Sequence, residues 1–235
     1  MNFFLFELRS TKKGMDINMA RLVVIDGLDG SGKTTQFDRL DAYLSSAGTS
    51  YRQICFPDYL EPSSALVKMY LAGQFGGSAD AVNAYAASSF YAVDRYASYK
   101  RFWEKDYREG RLILAARYTT SNAIHQMPKL PRQQWDGYLL WLEQYEYDLL
   151  GLPRPDLVAF LDMPPEVSQR LLSQRYEGDD NRKDIHERDK EYLIRCRESA
   201  LYAADKLGWK VVPCAADGHP LPEAEITRSL IKLLP

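Results

Sequence analysis

Short unbroken apolar runs, rather than long alternating ones, punctuate this chain. "RLVVID" (21–26) is β-branched and apolar at consecutive positions, which predicts a strand covered on both faces. "YRQICF" (51–56), stopped by Pro57, reads as a second strand, "RLILAA" (111–116) as a third and "DLVAFLD" (156–162) as a fourth. A fifth, "WKVVPC" (209–214), contains Pro213, which predicts an edge position or a strand end because proline cannot donate to a ladder. Between these runs the period changes. In "KTTQFDRLDAYLSS" (33–46), Phe37, Leu40 and Leu44 return at helical spacing. From roughly Ala79 to Arg108, Val82, Tyr85, Ala86, Phe90, Val93, Ala97, Phe102 and Trp103 do the same, predicting one long helical region. Strands alternating with helices predict an α/β fold with a mostly parallel sheet and helices on both faces.

Length and charge narrow the classes. At 235 residues the chain can build one well-buried core and is short for two domains. A formal net charge of -2 argues against a nucleic-acid polymer as partner, since that binding normally shows as an excess of Lys and Arg. Cys55, Cys196 and Cys214 form no metal-spaced cluster and read as small buried hydrophobes in a reducing, cytoplasmic setting. His125, His186 and His219 are scattered and suggest no metal site. The apolar start of "MNFFLFELRSTKKGMDINMA" is broken by Glu7 and Arg9, too short for a membrane span and wrongly ordered for a secretory signal. Residues 1–19 are therefore expected to be an N-terminal extension, followed by a single domain over 20–235. The one dense charge run is "YEGDDNRKDIHERDKE" (176–191).

Candidate chemistry begins where the first strand ends. "GLDGSGKT", Gly27 to Thr34, satisfies G-x-x-x-x-G-K-[ST] with a predicted strand before it and a helix after it. Gly27, Gly30 and Gly32 allow a tight turn with amides pointing inward, and the helix N-terminus adds positive potential for phosphate. Lys33 can reach the β- and γ-phosphates of a nucleotide, while Thr34 can offer its hydroxyl to Mg²⁺. Asp29, Ser31 and Thr35 share the loop and join the donor-binding candidates. An acceptor site must come from loops and helices that rim the same sheet edge. "CFPDY" (55–59) ends strand two there. In "SSFYAVDRYASYKR" (88–101), Tyr91 and Arg95 lie four apart on one helix face and can stack on a base and bond its carbonyl edge, or be a core ring and a surface cation. Strand three delivers Arg117 to the same crevice.

These stretches together resemble the thymidylate kinase family, from Arg21 to Leu234. The loop "DGLDGSGKTTQ", the "FP" after strand two, "FYAVDR", the "RY" after strand three and "PDLVAFLDMPPEV" (155–167) occur in that family's order and spacing. The resemblance implies a P-loop NTP hydrolase-like three-layer fold with a five-stranded sheet and a mobile lid over about 173–186. It implies transfer of the γ-phosphoryl of ATP to the 5′-phosphate of dTMP, with Mg²⁺. Carried over, Asp29 is the carboxylate that meets the acceptor's deoxyribose, Tyr91 and Phe56 line the base, Arg95 bonds to it, and Arg117 grips the acceptor phosphate. Asn122 and Gln126 follow where family residues approach the base. Arg170, Arg175 and Arg182 are the candidates for a lid arginine, Arg175 foremost.

Two departures accompany this resemblance. The family places an acid before the strand-three arginine, where this chain has Ala116, and some relatives place an arginine where Tyr59 stands. Asp26 or Asp162 could organise Mg²⁺ through water in compensation, although Asp162 could equally cap the following helix. A kinase of another nucleoside monophosphate or of a nucleoside, its pocket reshaped by "GQFGGSAD" (73–80), and a homologue that binds nucleotides but transfers poorly are the alternatives. The aromatic helix with Tyr96, Tyr99, Phe102 and Trp103 suggests a homodimer, although such faces are more often core.

Overall fold

The computed structural model describes residues 22–175 and 190–234, and of Arg175 the backbone alone. The extension over 1–19, Arg182 and most of the expected lid lie outside the described residues.

Five parallel strands form the central sheet: β1 (Leu22–Gly27), β2 (Tyr51–Cys55), β3 (Leu112–Ala116), β4 (Leu157–Asp162) and β5 (Lys210–Pro213). Their order is β2-β3-β1-β4-β5. The strand carrying the glycine loop is therefore central, buried at all six positions. Pro213 ends an edge strand, as its missing N–H requires. Side chains alternate between two cores. Val23, Ile25, Leu114 and Leu161 meet Leu40 and Leu44 of α1 (Lys33–Ser46) and Ile226 and Leu230 of a late helix. Leu22, Val24, Ile113 and Ala115 meet Tyr99 and Trp103 on the other face.

α2 (Ala65–Leu71) follows β2. The long helical region starts later than its periodicity suggested. Ala79–Ala81 is a single 3₁₀ turn, and α3 (Ala84–Ser98) begins where Asn83 Oδ1 accepts from Ala86 N at 2.9 Å. α3 continues through a π-helical segment, Tyr99–Trp103, into α4 (Glu104–Arg108). Tyr99 and Trp103 thus turn inward, with Trp103 fully buried, so these two rings are core rather than the surplus apolar area expected of them.

α5 (Thr120–His125) follows β3, and α6 (Trp135–Glu143) runs into a second π-helical segment, Gln144–Leu149. α7 (Pro165–Arg175) follows β4; α8 (Lys190–Leu207) and α9 (Glu223–Ile231) flank β5. A two-stranded hairpin, β6 (Ala215–Ala216) and β7 (His219–Pro220), turns through Asp217 and Gly218, both at positive φ. Asp-Gly is the residue pair such a turn favours.

Candidate active site

The first-strand loop folds as its glycines predict. Gly30 and Gly32 take φ of 76° and 85°, and a Cβ on Gly30 would lie 2.8 Å from the Ser168 carbonyl oxygen of α7. That close approach leaves the position no side chain. Gly32 caps α1, so Lys33 begins the helix and the loop sits at the helix's positive end. Lys33 Nζ donates to the carbonyl oxygens of Gly27 at 2.9 Å and Leu28 at 2.7 Å, and stands 3.6 Å from Asp29 Oδ1. Burial, then the charge of Arg117, lowers its pKa to about 8, against opposing pulls from Asp29 and Asp26.

Arg117 follows the last residue of β3 at φ 63°, a left-handed conformation uncommon for a side chain of this size. Its backbone N–H donates to Ile25 O at 3.0 Å. The turn swings the guanidinium between elements: it pairs with Asp29 Oδ1, donates through Nη1 to His125 Nε2 at 3.1 Å, and lies 3.9 Å from Asp26. Burial opposes its charge, but Asp29 and Asp26 more than offset that and hold its pKa above the usual arginine value. Because arginine can only donate, His125 accepts here as a neutral ring protonated on Nδ1.

Two hollows meet at this pair. One is a groove along the glycine loop, lined by Gly30–Phe37, Cys55, Ala116, Leu171, Leu172, Met163 and the Pro220–Glu223 stretch leading into α9. The other is lined by Phe56, Pro57, Tyr59, Leu71, Tyr91, Arg95, Tyr118, Ser121, Asn122, His125 and Gln126. Asp29 and Arg117 line both. A group bound in either hollow reaches the same guanidinium. Thr34 is exposed in the groove, and Thr35 lies beside it.

Burial and partners exclude one of the two readings of Arg95 and place Tyr91 at the second hollow. Tyr91 is half-buried at the second hollow, its ring edge-on to Tyr70 at 6.4 Å. Tyr70 is in turn held by Lys129, whose Nζ donates to its hydroxyl at 2.8 Å and whose pKa burial lowers to about 8. Arg95 is no surface cation, being only 1% exposed. Its Nε donates to Glu146 Oε2 at 2.7 Å, Nη2 to Oε1 at 2.5 Å, and Nη1 to Tyr118 O at 3.3 Å. Burial works against its charge, but Glu146 outweighs it and the pKa is raised. Sequence reasoning passed over Glu146. It lies on the second π-helical segment, fully buried, and also accepts from Thr119 Oγ1 at 2.9 Å and Asn122 Nδ2 at 3.0 Å. An acid inside the aromatic run "WLEQYEYDLL" was the available signal.

Several expectations change. Asp26 is fully buried and does not line the groove: Oδ1 accepts from Gly27 N at 2.8 Å, and Oδ2 from Thr120 and Ser121 hydroxyls at 2.6 and 2.7 Å. These donors replace the water-mediated metal role expected of it. Asp162 receives Arg197 through two bonds, at 2.6 and 2.9 Å, an ion pair to α8 in place of both the metal and the capping readings. Arg170 bonds Gly218 O in the β6–β7 turn and does not line the groove along the glycine loop. Cys55, expected buried, is exposed in the groove beside Ala116, its register partner. From 73–80 no residue lines the second hollow, so that stretch does not shape it directly.

The family model for thymidylate kinase matches residues 25–217. The chain belongs to the thymidylate kinase family. It is 30% identical to the thymidylate kinase of Mycobacterium tuberculosis over 204 residues, covering 85% of this chain and 93% of that one. It is 27% identical to a probable thymidylate kinase of Pyrobaculum aerophilum, covering 89% and 95%. The solved thymidylate kinase of Candida albicans superposes with a TM-score of 0.64 at 20% identity, covering 92% of this chain and 91% of that one, which supports the fold. The thymidylate kinase fold thus accounts for the five-stranded parallel sheet and the helices that cover it.

Proposed function

We propose how this chain carries out its family's reaction, transfer of the γ-phosphoryl of ATP to the 5′-phosphate of dTMP, giving dTDP and ADP. One observation supports it most: the phosphate-loop groove and the second hollow share Asp29 and Arg117, which puts donor and acceptor phosphates against one cation. The loop amides and Lys33 hold the donor phosphates. Arg117 grips the acceptor phosphate, its planar fork suited to two oxygens at once. The acceptor oxygen is already anionic near neutral pH, so placing the two phosphates in line matters more than a base.

Mg²⁺ fits the donors present. Among the described residues no group of three or more His, Cys, Asp or Glu could hold an ion, but Mg²⁺ with nucleotides keeps several waters and needs only one or two protein oxygens beside the phosphates. Thr34, exposed in the groove, would be one such ligand, and the ion when bound would neutralise charge on the donor phosphates.

The second hollow's polar pattern supports a 4-oxo pyrimidine. Three of Arg95's five N–H groups are engaged, leaving two donors. Asn122 commits Nδ2 to Glu146 and, at 3.3 Å, to Ser88 O, leaving its carbonyl as an acceptor; Gln126 Oε1 is buried with no partner. A donor beside acceptors matches a carbonyl beside a ring N–H, as in thymine, and mismatches cytosine. Phe56 and Tyr91 supply the apolar faces. Product analysis with ATP and Mg²⁺ is expected to give dTDP, with dCMP turned over at least about a hundredfold less efficiently because it leaves these groups unpaired. Comparable dCDP formation would sink the base assignment.

The apolar wall at Ala116 and Cys55 favours slow transfer, since Asp26 and Asp162 are committed elsewhere. Ala116→Asp is therefore expected to raise kcat about tenfold with the dTMP KM within about threefold, a gain of about 1.4 kcal/mol in transition-state binding. An unchanged or lower kcat would show that the acid is dispensable here.

A homodimer is supported by Tyr85, Val93 and Tyr96, which remain exposed on α3. Sedimentation at 27.0 kDa would reject it. No helix among the described residues is long and apolar enough to cross a membrane, and three cysteines without a disulfide support a cytoplasmic setting, which fractionation tests.

A further inference from the structure

We infer that Glu146 is a positioning residue for acceptor-base selectivity, acting through Arg95 and Asn122 without touching the nucleotide. This rests on the reading of the second hollow as the dTMP site.

Four donors converge on one fully buried carboxylate: Arg95 Nε and Nη2, Thr119 Oγ1 and Asn122 Nδ2. The side-on grip on Arg95 takes the edge of the guanidinium next to its stem. What remains for the hollow is the far part of the fork, and that fixes where donors are offered. The bond to Asn122 fixes the opposite polarity. With its NH₂ held by Glu146 and Ser88 O, Asn122 can offer only its carbonyl oxygen. One carboxylate therefore sets both signs of the pattern that separates a 4-oxo base from a 4-amino base. Thr119 precedes α5, the helix that bears Asn122, so its bond to Glu146 ties that helix start to the π-helical segment.

An amide at position 146 is nearly the same shape but electrically wrong. All four neighbours donate, so the NH₂ of a glutamine must face a donor, and Arg95 or Asn122 must turn. Either movement alters what the base meets. ATP, bound in the groove on the other side of Asp29 and Arg117, is unaffected.

The experiment compares wild type, Glu146→Gln and Glu146→Asp by calorimetric binding of dTMP and of ATP separately, and by steady-state kinetics with dTMP and dCMP. For Glu146→Gln the dTMP Kd and KM are expected to rise at least about 30-fold, with the ATP constants within about twofold and the preference for dTMP over dCMP reduced about tenfold or more. Glu146→Asp, which keeps the charge with a shorter reach, is expected to fall between. Should Glu146→Gln fail to fold, Thr119→Val removes one of the four donors at nearly constant shape and is expected to raise the dTMP Kd about three- to tenfold without changing that of ATP. A folded Glu146→Gln that binds dTMP within twofold of wild type overturns the inference. So does a parallel loss of dTMP and ATP binding with unaltered dTMP-to-dCMP preference, the mark of a merely structural role. Wild-type product analysis judges the dTMP-site reading by itself, and variant-to-wild-type ratios of dTMP binding judge Glu146.

Discussion

Lys33→Ala is expected to fold and melt no lower than the parent while losing about 10³-fold in kcat, about 4 kcal/mol of transition-state stabilisation. The two halves have one cause. The Lys33 amine is held in a buried place beside the Arg117 cation, which lowers its pKa to about 8, so keeping it charged in the folded protein costs stability. The sign follows from linkage. The folded pKa lies below the unfolded value of 10.5, so the cost is fully present below about 8 and fades as pH rises from 8 towards 10.5, where the unfolded chain still holds the proton. Near pH 7 alanine removes that cost and the charge that follows the transferring phosphoryl group together. In the parent, kcat/KM for ATP should fall as pH rises past about 8, since it reports the free enzyme, and Lys33→Arg should move that limb out of range. Near-normal turnover in Lys33→Ala would overturn the donor-site assignment; a lower melting temperature with retained turnover would make Lys33 structural.

Arg117→Ala is expected to lower kcat/KM for dTMP by about 30- to 1,000-fold, about 2–4 kcal/mol, with the ATP KM close to the parent's. The backbone at Arg117 is held left-handed at φ 63°, where a non-glycine residue costs of order 1 kcal/mol. Asp29 and His125 then hold the side chain where the two hollows join. A local cost kept at such a junction points to binding rather than to packing. Lysine should restore only part, because it keeps the charge and loses the fork. Asp29 retains Lys33 at 3.6 Å when Arg117 is removed, so the variant is not left with an isolated buried acid. Steady-state kinetics against each substrate decide the matter. If Arg117→Ala stays within twofold of the parent for dTMP, the arginine is a structural ion-pair partner of Asp29 and the acceptor clamp lies elsewhere.

The sequence by itself determined what depends on neighbours in the chain. The five strands were legible because a strand buried on both faces must be apolar at consecutive positions, and Leu22 to Ile25 are. The phosphate loop was legible because its glycines, lysine and threonine act through backbone turns and a helix start a few residues apart. Arg117 was legible because strand three ends just before it. The tertiary structure alone decided partnerships between distant positions. Asp26 meets Thr120 across 94 residues and Asp162 meets Arg197 across 35, so two acids that looked available at strand ends are already satisfied. Arg95 meets Glu146 across 51, so the surface-cation alternative gives way to a buried ion pair at the edge of the second hollow. A charged side chain's role depends on which opposite charge shares its low-dielectric surroundings, and helical spacing around Arg95 carries no information about a carboxylate delivered by another helix.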